Sequence, residues 1–125
     1  MSRLCYAIAF TKNFDAMIEF YAEQVGLRIR RRDAQWVEFE TGNVTLALVK
    51  PEQIGLDFAP LPFGSIAIRV PNVEEAKVKL EEAGVEFKGE IWDSGVCNGA
   101  AFYDTEGNGL LLHSRYAPFA DGRMP

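Results

Sequence analysis

The sequence predicts an α+β protein made of two tandem βαβββ modules, and three observations carry that prediction. The order strand, helix and three strands occurs twice along the chain. Ala7-Ile8 in the opening strand of the first half is echoed by Ala67-Ile68 in the second. Each half also closes on a hairpin carrying Gly-Asn, at Gly42-Asn43 and at Gly107-Asn108. A half of this kind cannot bury both its helix face and its sheet face alone. The two are therefore expected to form one curved mixed sheet around a cleft, with the helices outside.

Each element has a local reason. YAIAF (Tyr6–Phe10) is a short apolar run of strand formers. Asn13 in the following TKNFD can cap a helix in which Phe14, Met17, Ile18, Tyr21 and Val25 recur at helical spacing, and Gly26 suits the residue that ends it. LRIRR, WVEFE and VTLALV read as strands, the last two joined by a tight turn at Thr41–Asn43. This completes module one, residues 1–50, and a Pro- and Gly-punctuated connector occupies 51–64. Module two, 65–114, runs from the strand SIAIRV through the turn PNV to the helix VEEAKVKLEEAG. That helix should bury Val73, Ala76, Leu80 and Ala83, with Gly84 closing it. EFKGEIW, AAFYD and GLLLHS follow as strands, and 115–125 form a tail, so that 1–125 read as a single domain.

Composition narrows the function. Hydrophobic residues make up 48% and charged residues 25%, ordinary values for a globular protein. The net charge of −5 argues against nucleic acid or an anionic membrane as partner. The one basic cluster, Arg28, Arg30, Arg31 and Arg32, reads as a solvated strand edge. Cys5 and Cys97 show no paired spacing and no secretory segment follows Met1, which points to free thiols and a cytoplasmic protein. No apolar run approaches the roughly 18 residues that a membrane helix requires.

Tandem βαβββ order, Phe20-Tyr21 in the first helix, Gly26-Leu27 after it and a closing hairpin FYD-x-x-GN-x-x-x-L together resemble the vicinal oxygen chelate superfamily. This is the glyoxalase, bleomycin-resistance and extradiol-dioxygenase group, and the resemblance covers about residues 5–114. It implies a divalent metal held by His, Gln or Glu on the first and last strands of each module, which stabilises a substrate oxyanion. Those positions fall on Tyr6 or Cys5, on Leu46 or Ala47, on Ser65, and on Leu111. None of these suits a divalent transition metal. The resemblance thus implies the metal-free branch, whose members bind a ligand without transforming it, with no metal and no cofactor. It also implies a homodimer, since short members commonly pair two chains.

His113 is the chain's lone histidine. Strand alternation turns Gly109, Leu111 and His113 to one face and Leu110, Leu112 and Ser114 to the other. His113 is then either a polar contact or base at a cleft rim, or a packed side chain held against the tail. Asp104 and Glu106 in the turn DTEGN read as turn-forming residues exposed to water, not as an acid–base pair. Trp36 and Trp92 fall at similar places in their modules and are the preferred stacking pair. Arg69 shares a strand face with Ser65, where it can meet an acidic group of a ligand or a surface carboxylate.

The expected ligand-binding residues are therefore Tyr6, Trp36, Ser65, Trp92, Leu111 and His113. The expected function is binding of a small aromatic or cationic molecule in a metal-free cleft. A metal-independent lyase or isomerase using His113, Tyr6 or Tyr103 is the alternative. A metal-dependent lyase or dioxygenase lacks ligands, and a purely dimerising module completes the range.

Overall fold

A computed structural model describes residues 3–54 and 57–123. Positions 55 and 56 of the expected connector, and 124 and 125 of the expected tail, lie outside the described residues. The chain divides into two compact units, Met1–Leu61 with Thr105–Gly107, and Pro62–Asp104 with Asn108–Pro125.

In the first unit the elements are β1 (Tyr6–Phe10), α1 (Phe14–Glu19), β2 (Arg28–Arg32), β3 (Trp36–Glu40) and β4 (Thr45–Val49). The second repeats the series with β5 (Ile66–Arg69), α2 (Val73–Glu82), β6 (Phe87–Asp93), β7 (Cys97–Tyr103) and β8 (Gly109–Arg115). Each unit holds one four-stranded mixed sheet, in the orders β1-β4-β3-β2 and β5-β8-β7-β6. In both, the first strand lies parallel to the last and the remaining pairs are antiparallel. The repeat read from the sequence is thus a repeat of topology.

Local chemistry explains the helix ends. The Asn13 side chain accepts the Ala16 N–H at 3.2 Å, and Asn72 caps α2 in the same way through Glu75 N–H at 2.9 Å. The first helix departs from the regular one its periodicity predicts. Its second half, Phe20–Val25, is π-helical and ends at Gly26, whose φ of 86° only glycine adopts freely. Phe14, Met17, Ile18, Phe20 and Tyr21 are buried, whereas Val25 is only half-buried. In α2, Val73 and Leu80 are buried and Ala76 half-buried. Ala83, expected on that buried face, is exposed: it lies past the last helical turn, as the C-cap. Strand β7 begins at Cys97, earlier than AAFYD suggested.

Pairing register assigns the two faces of each sheet, because residues directly opposite across a ladder point to the same side. In the first sheet, Ala7, Leu46 and Phe39 lie in one row, and the Phe39 ring is 6.0 Å from that of Tyr21. This is the helix-covered face. Phe39 and Val37 are fully buried there, and a buried Phe side chain contributes roughly 2–3 kcal/mol. In the second sheet, Ile66, Leu110, Phe102 and Phe87 form the equivalent row, with the Lys77 ammonium of α2 5.3 Å from the Phe87 ring.

The turn after β7 differs from expectation. Asp104 and Glu106 were expected to face water. Asp104 forms the turn as expected but is buried: its carboxylate accepts the Asn108 backbone N–H at 3.0 Å and the Asn108 amide at 2.6 Å. Glu106 is half-buried and accepts the Thr11 hydroxyl and the Lys12 backbone N–H. The tip of this turn clusters with the first unit, which sequence distance conceals.

Candidate functional site

The helix-free face of the first sheet carries Tyr6 and Ile8 from β1, Thr45, Ala47 and Val49 from β4, and Trp36 and Glu38 from β3. Glu38 organises it. The residue is 5% exposed, and its carboxylate accepts three hydrogen bonds. Arg30 Nη2 donates to Oε1 at 2.6 Å, while Trp36 Nε1 and the Tyr6 hydroxyl donate to Oε2 at 2.7 and 3.1 Å. These donors hold the Glu38 carboxyl below the usual carboxylate range, Arg30 foremost and Trp36 next, while burial works the other way. Donating to Glu38 in turn raises the Tyr6 hydroxyl above its ordinary value. The Tyr6 and Trp36 rings meet edge to face, with centroids 5.8 Å apart. Two of the expected site residues are therefore brought together by a third, Glu38, that sequence reading missed.

The helix-free face of the second sheet carries Ala67 and Arg69 from β5, Leu111 and His113 from β8, Gly99 and Ala101 from β7, and Trp92 from β6. Leu111 sits between two alanines, Ala67 and Ala101. Trp92 lies over Gly99: a Cβ on that glycine would come within 2.5 Å of the indole Cζ2. The Trp92 and His113 rings are 6.3 Å apart. The His113 carbonyl accepts the Val70 N–H at 3.0 Å, which fixes β8 against the end of β5. Ser65 is exposed and precedes β5, two residues ahead of Ala67 on the alternation that includes Leu111. The structure thus gathers Trp92, Leu111 and His113 on one face, with Ser65 leading into it. Tyr103, on the same face, is 4.8 Å from Phe63, whose ring covers Gly109.

A broad depression elsewhere in the first unit is lined by Lys12, Asp15, Arg32, Asp33 and Lys50. It holds none of the expected site residues. Arg32 is already committed to Asp15 at 2.9 Å, so the depression is a solvated charged surface around an ion pair.

The sequence pattern of the Glyoxalase/Bleomycin resistance protein/Dioxygenase superfamily matches residues 3–112. The chain belongs to this superfamily. A protein of Mycolicibacterium smegmatis, itself uncharacterized, is 32% identical over 106 residues, which is 83% of this chain and 86% of that one. Among solved structures, the lactoylglutathione lyase of Agrobacterium tumefaciens is similar with a TM-score of 0.74 and 19% identity, over 90% of this chain and 93% of that one. TnmS3, an antibiotic binding protein from Streptomyces sp. CB03234, gives a TM-score of 0.75 and 20% identity, over 93% of this chain and 98% of that one. At such identities these two share the fold with this member of the superfamily.

The divalent metal that the family resemblance implies does not fit the residues present. Register settles which β4 residue shares the Tyr6 face: it is Ala47, while Leu46 turns toward the helix. Ala47 and Leu111 have no donor atom, and the Tyr6 hydroxyl is engaged by Glu38. Glu38 itself, the buried carboxylate of this face, already serves three donors, the Arg30 guanidinium among them. No group of three or more His, Cys, Asp or Glu able to hold a metal occurs among the described residues. No helix among them is long and apolar enough to cross a membrane.

What sequence reading missed has a traceable signal. In WVEFE, alternation turns Trp36 and Glu38 to the face opposite Val37 and Phe39. Register pairs Arg31 with Glu38, and the β-bulge between Ile29 and Arg31 leaves Arg30 as the extra residue of β2, from where its guanidinium reaches the carboxylate. The arginine run is indeed an exposed edge strand, but one of its members is a structural partner of that carboxylate.

Proposed function

We propose that this superfamily member binds a small planar molecule, aromatic or cationic, without a metal, through the helix-free faces of its sheets. Tyr6 and Trp36 serve on the first face, and Trp92, Leu111 and His113 on the second, with Ser65 at its entrance. The observation that carries this reading is that each face presents an indole at a defined place. Trp36 is held by its bond to Glu38 at 2.7 Å, and Trp92 lies against Gly99, whose missing side chain leaves room for the ring. Pre-set aromatic walls lose little freedom on binding, and the neighbouring hydroxyl and imidazole groups can orient a ligand. The solved relative named for antibiotic binding is in keeping with this use of the fold.

Acid–base catalysis without metal is the competing reading. Tyr6 is poorly placed for it as a base, because its proton is held by Glu38. His113 and Tyr103 remain its candidates.

The proposal extends to a homodimer in a reducing, cytoplasmic setting. Each sheet has two edge strands, β1 and β2 in one and β5 and β6 in the other, that a second copy could cover. Cys5 and Cys97 are free thiols, as a reducing compartment would keep them. Light scattering that gives a monomer mass across a wide concentration range would remove the dimer from this reading.

The test of binding uses the two indole N–H signals in a proton–nitrogen NMR spectrum. Saturable movement of one or both is expected with planar aromatic compounds of suitable charge. If neutral, anionic and cationic compounds all leave both signals in place, the binding reading fails.

A further inference from the structure

Four residues form a single cross-strand row on the helix-free face of the second sheet. Arg69 pairs with His113, His113 with Gly99, and Gly99 with Trp92, across β5, β8, β7 and β6 in turn. The row has a wall, a floor and a charge. The indole of Trp92 leans over Gly99, where any side chain would displace it, and its ring lies 6.3 Å from that of His113. At the other end Arg69 is exposed, and among the described residues it makes neither an ion pair nor a side-chain hydrogen bond. That distinguishes it from Arg30, Arg31, Arg32 and Arg123, each of which faces a carboxylate.

We propose that this row is a subsite for an aromatic acid: the ring stacks on Trp92 above Gly99, and an anionic oxygen is taken by the Arg69 guanidinium beside His113. The inference rests on the binding reading above and commits that reading to a ligand class. A guanidinium offers paired donors in the geometry of a carboxylate, and a charge-assisted pair is stronger than a neutral hydrogen bond. His113 supplies a further donor or acceptor at the junction of ring and charge. The net charge of −5 favours cations at long range, but that field is screened within about 10 Å, inside which the nearest side chains decide. Within this row the guanidinium is that of Arg69. His113 lies between it and the indole, and the Leu111 side chain closes the next row toward Ala67.

Three probes of one shape and different charge test this on the intact protein: 2-naphthoate, 2-naphthalenemethanol and 2-naphthylmethylammonium. The Trp92 indole N–H signal, assigned with W92F, is followed as each is added. Saturable movement with 2-naphthoate is expected, with about tenfold weaker response to the neutral alcohol and less still to the ammonium, as loss of one good charged contact implies. Arg69→Ala and Arg69→Gln, both at an exposed position, should bring 2-naphthoate down to the level of the alcohol. If the alcohol or the ammonium moves the Trp92 signal as readily as 2-naphthoate, the acid subsite is wrong while the binding reading stands. The acid subsite is equally overturned if 2-naphthoate moves only the Trp36 signal, or if both Arg69 variants bind it unchanged. If none of the three moves either indole signal, the acid subsite and the underlying binding reading fall together.

Discussion

The Tyr6 hydroxyl donates to Glu38 Oε2 across 3.1 Å, and this bond joins the opening strand of the chain to the middle of β3. Because Oε2 also receives the Trp36 N–H, and Oε1 the Arg30 guanidinium, one buried carboxylate sets the orientation of two rings and a cation. Removing it leaves three donors without their acceptor. Glu38→Ala is expected to destabilise the protein by about 1–3 kcal/mol in urea titrations, with Glu38→Gln nearer the low end because an amide can still accept. Both variants should broaden or shift the Trp36 indole N–H signal while leaving that of Trp92 in place.

Acid should weaken the fold through the same residue. Its folded carboxyl titrates below the unfolded glutamate value of about 4.3, as does that of Glu40, and Asp93 titrates below the unfolded aspartate value of about 3.9. Glu40 and Asp93 are held down foremost by a backbone N–H, of Gly42 and Gly95 respectively. A depressed folded value means that the stabilisation is fully present above the unfolded one and disappears as pH falls through the folded one. The urea midpoint is therefore expected to hold level near neutrality and to drop progressively below about pH 4.5, with a shallower drop in Glu38→Gln.

At the alkaline end the sign reverses. Tyr6 and Tyr116 both donate to carboxylates, of Glu38 and Asp93, and both titrate above the ordinary tyrosine value. A raised folded value keeps its stabilisation below the unfolded one, about 10, and loses it as pH climbs through the folded one. Ultraviolet titration should show late components from Tyr6 and Tyr116, and the Tyr6 component should be absent in Tyr6→Phe.

Glycine positions on the second sheet face predict a steric outcome. A Cβ at Gly99 would lie 2.5 Å from the Trp92 Cζ2 and 2.7 Å from the Leu112 carbonyl oxygen. Gly99→Ala should therefore swing the indole out and cost about 1–3 kcal/mol, read as a red-shifted tryptophan emission together with a lower urea midpoint. Gly109→Ala meets Phe63 at 2.6 Å and should show a similar loss of stability without the change in emission.

Leu111→Trp tests the second face as a binding surface. Leu111 is half-buried between Ala67 and Ala101, so a larger ring there covers the alanines and not the core beneath. Binding of any planar probe that moves the Trp92 signal is expected to fall by about tenfold or more, with circular dichroism unchanged. Unaltered binding in a folded variant would remove Leu111 from the site.

Much of the architecture was readable along the chain, because it follows from short-range rules. Asn13 and Asn72 cap helices, Gly26 and Gly84 end them, and period-two patterns in WVEFE and GLLLHS define strand faces. Duplication of that local series was enough to indicate two alike units, and the Tyr6–Trp36 and Trp92–His113 neighbours fell among the expected residues. What the linear pattern does not contain is register. Only strand pairing decides that Ala47 and not Leu46 shares the Tyr6 face, that Arg30 reaches Glu38, and that Gly99 lies under Trp92. The same holds for the burial of Asp104 and for Glu106 meeting Thr11 from 95 residues away. Side-chain chemistry is local, but whether a charge is solvated or saturated depends on partners brought in by tertiary pairing, and a one-residue change of register exchanges every one of them.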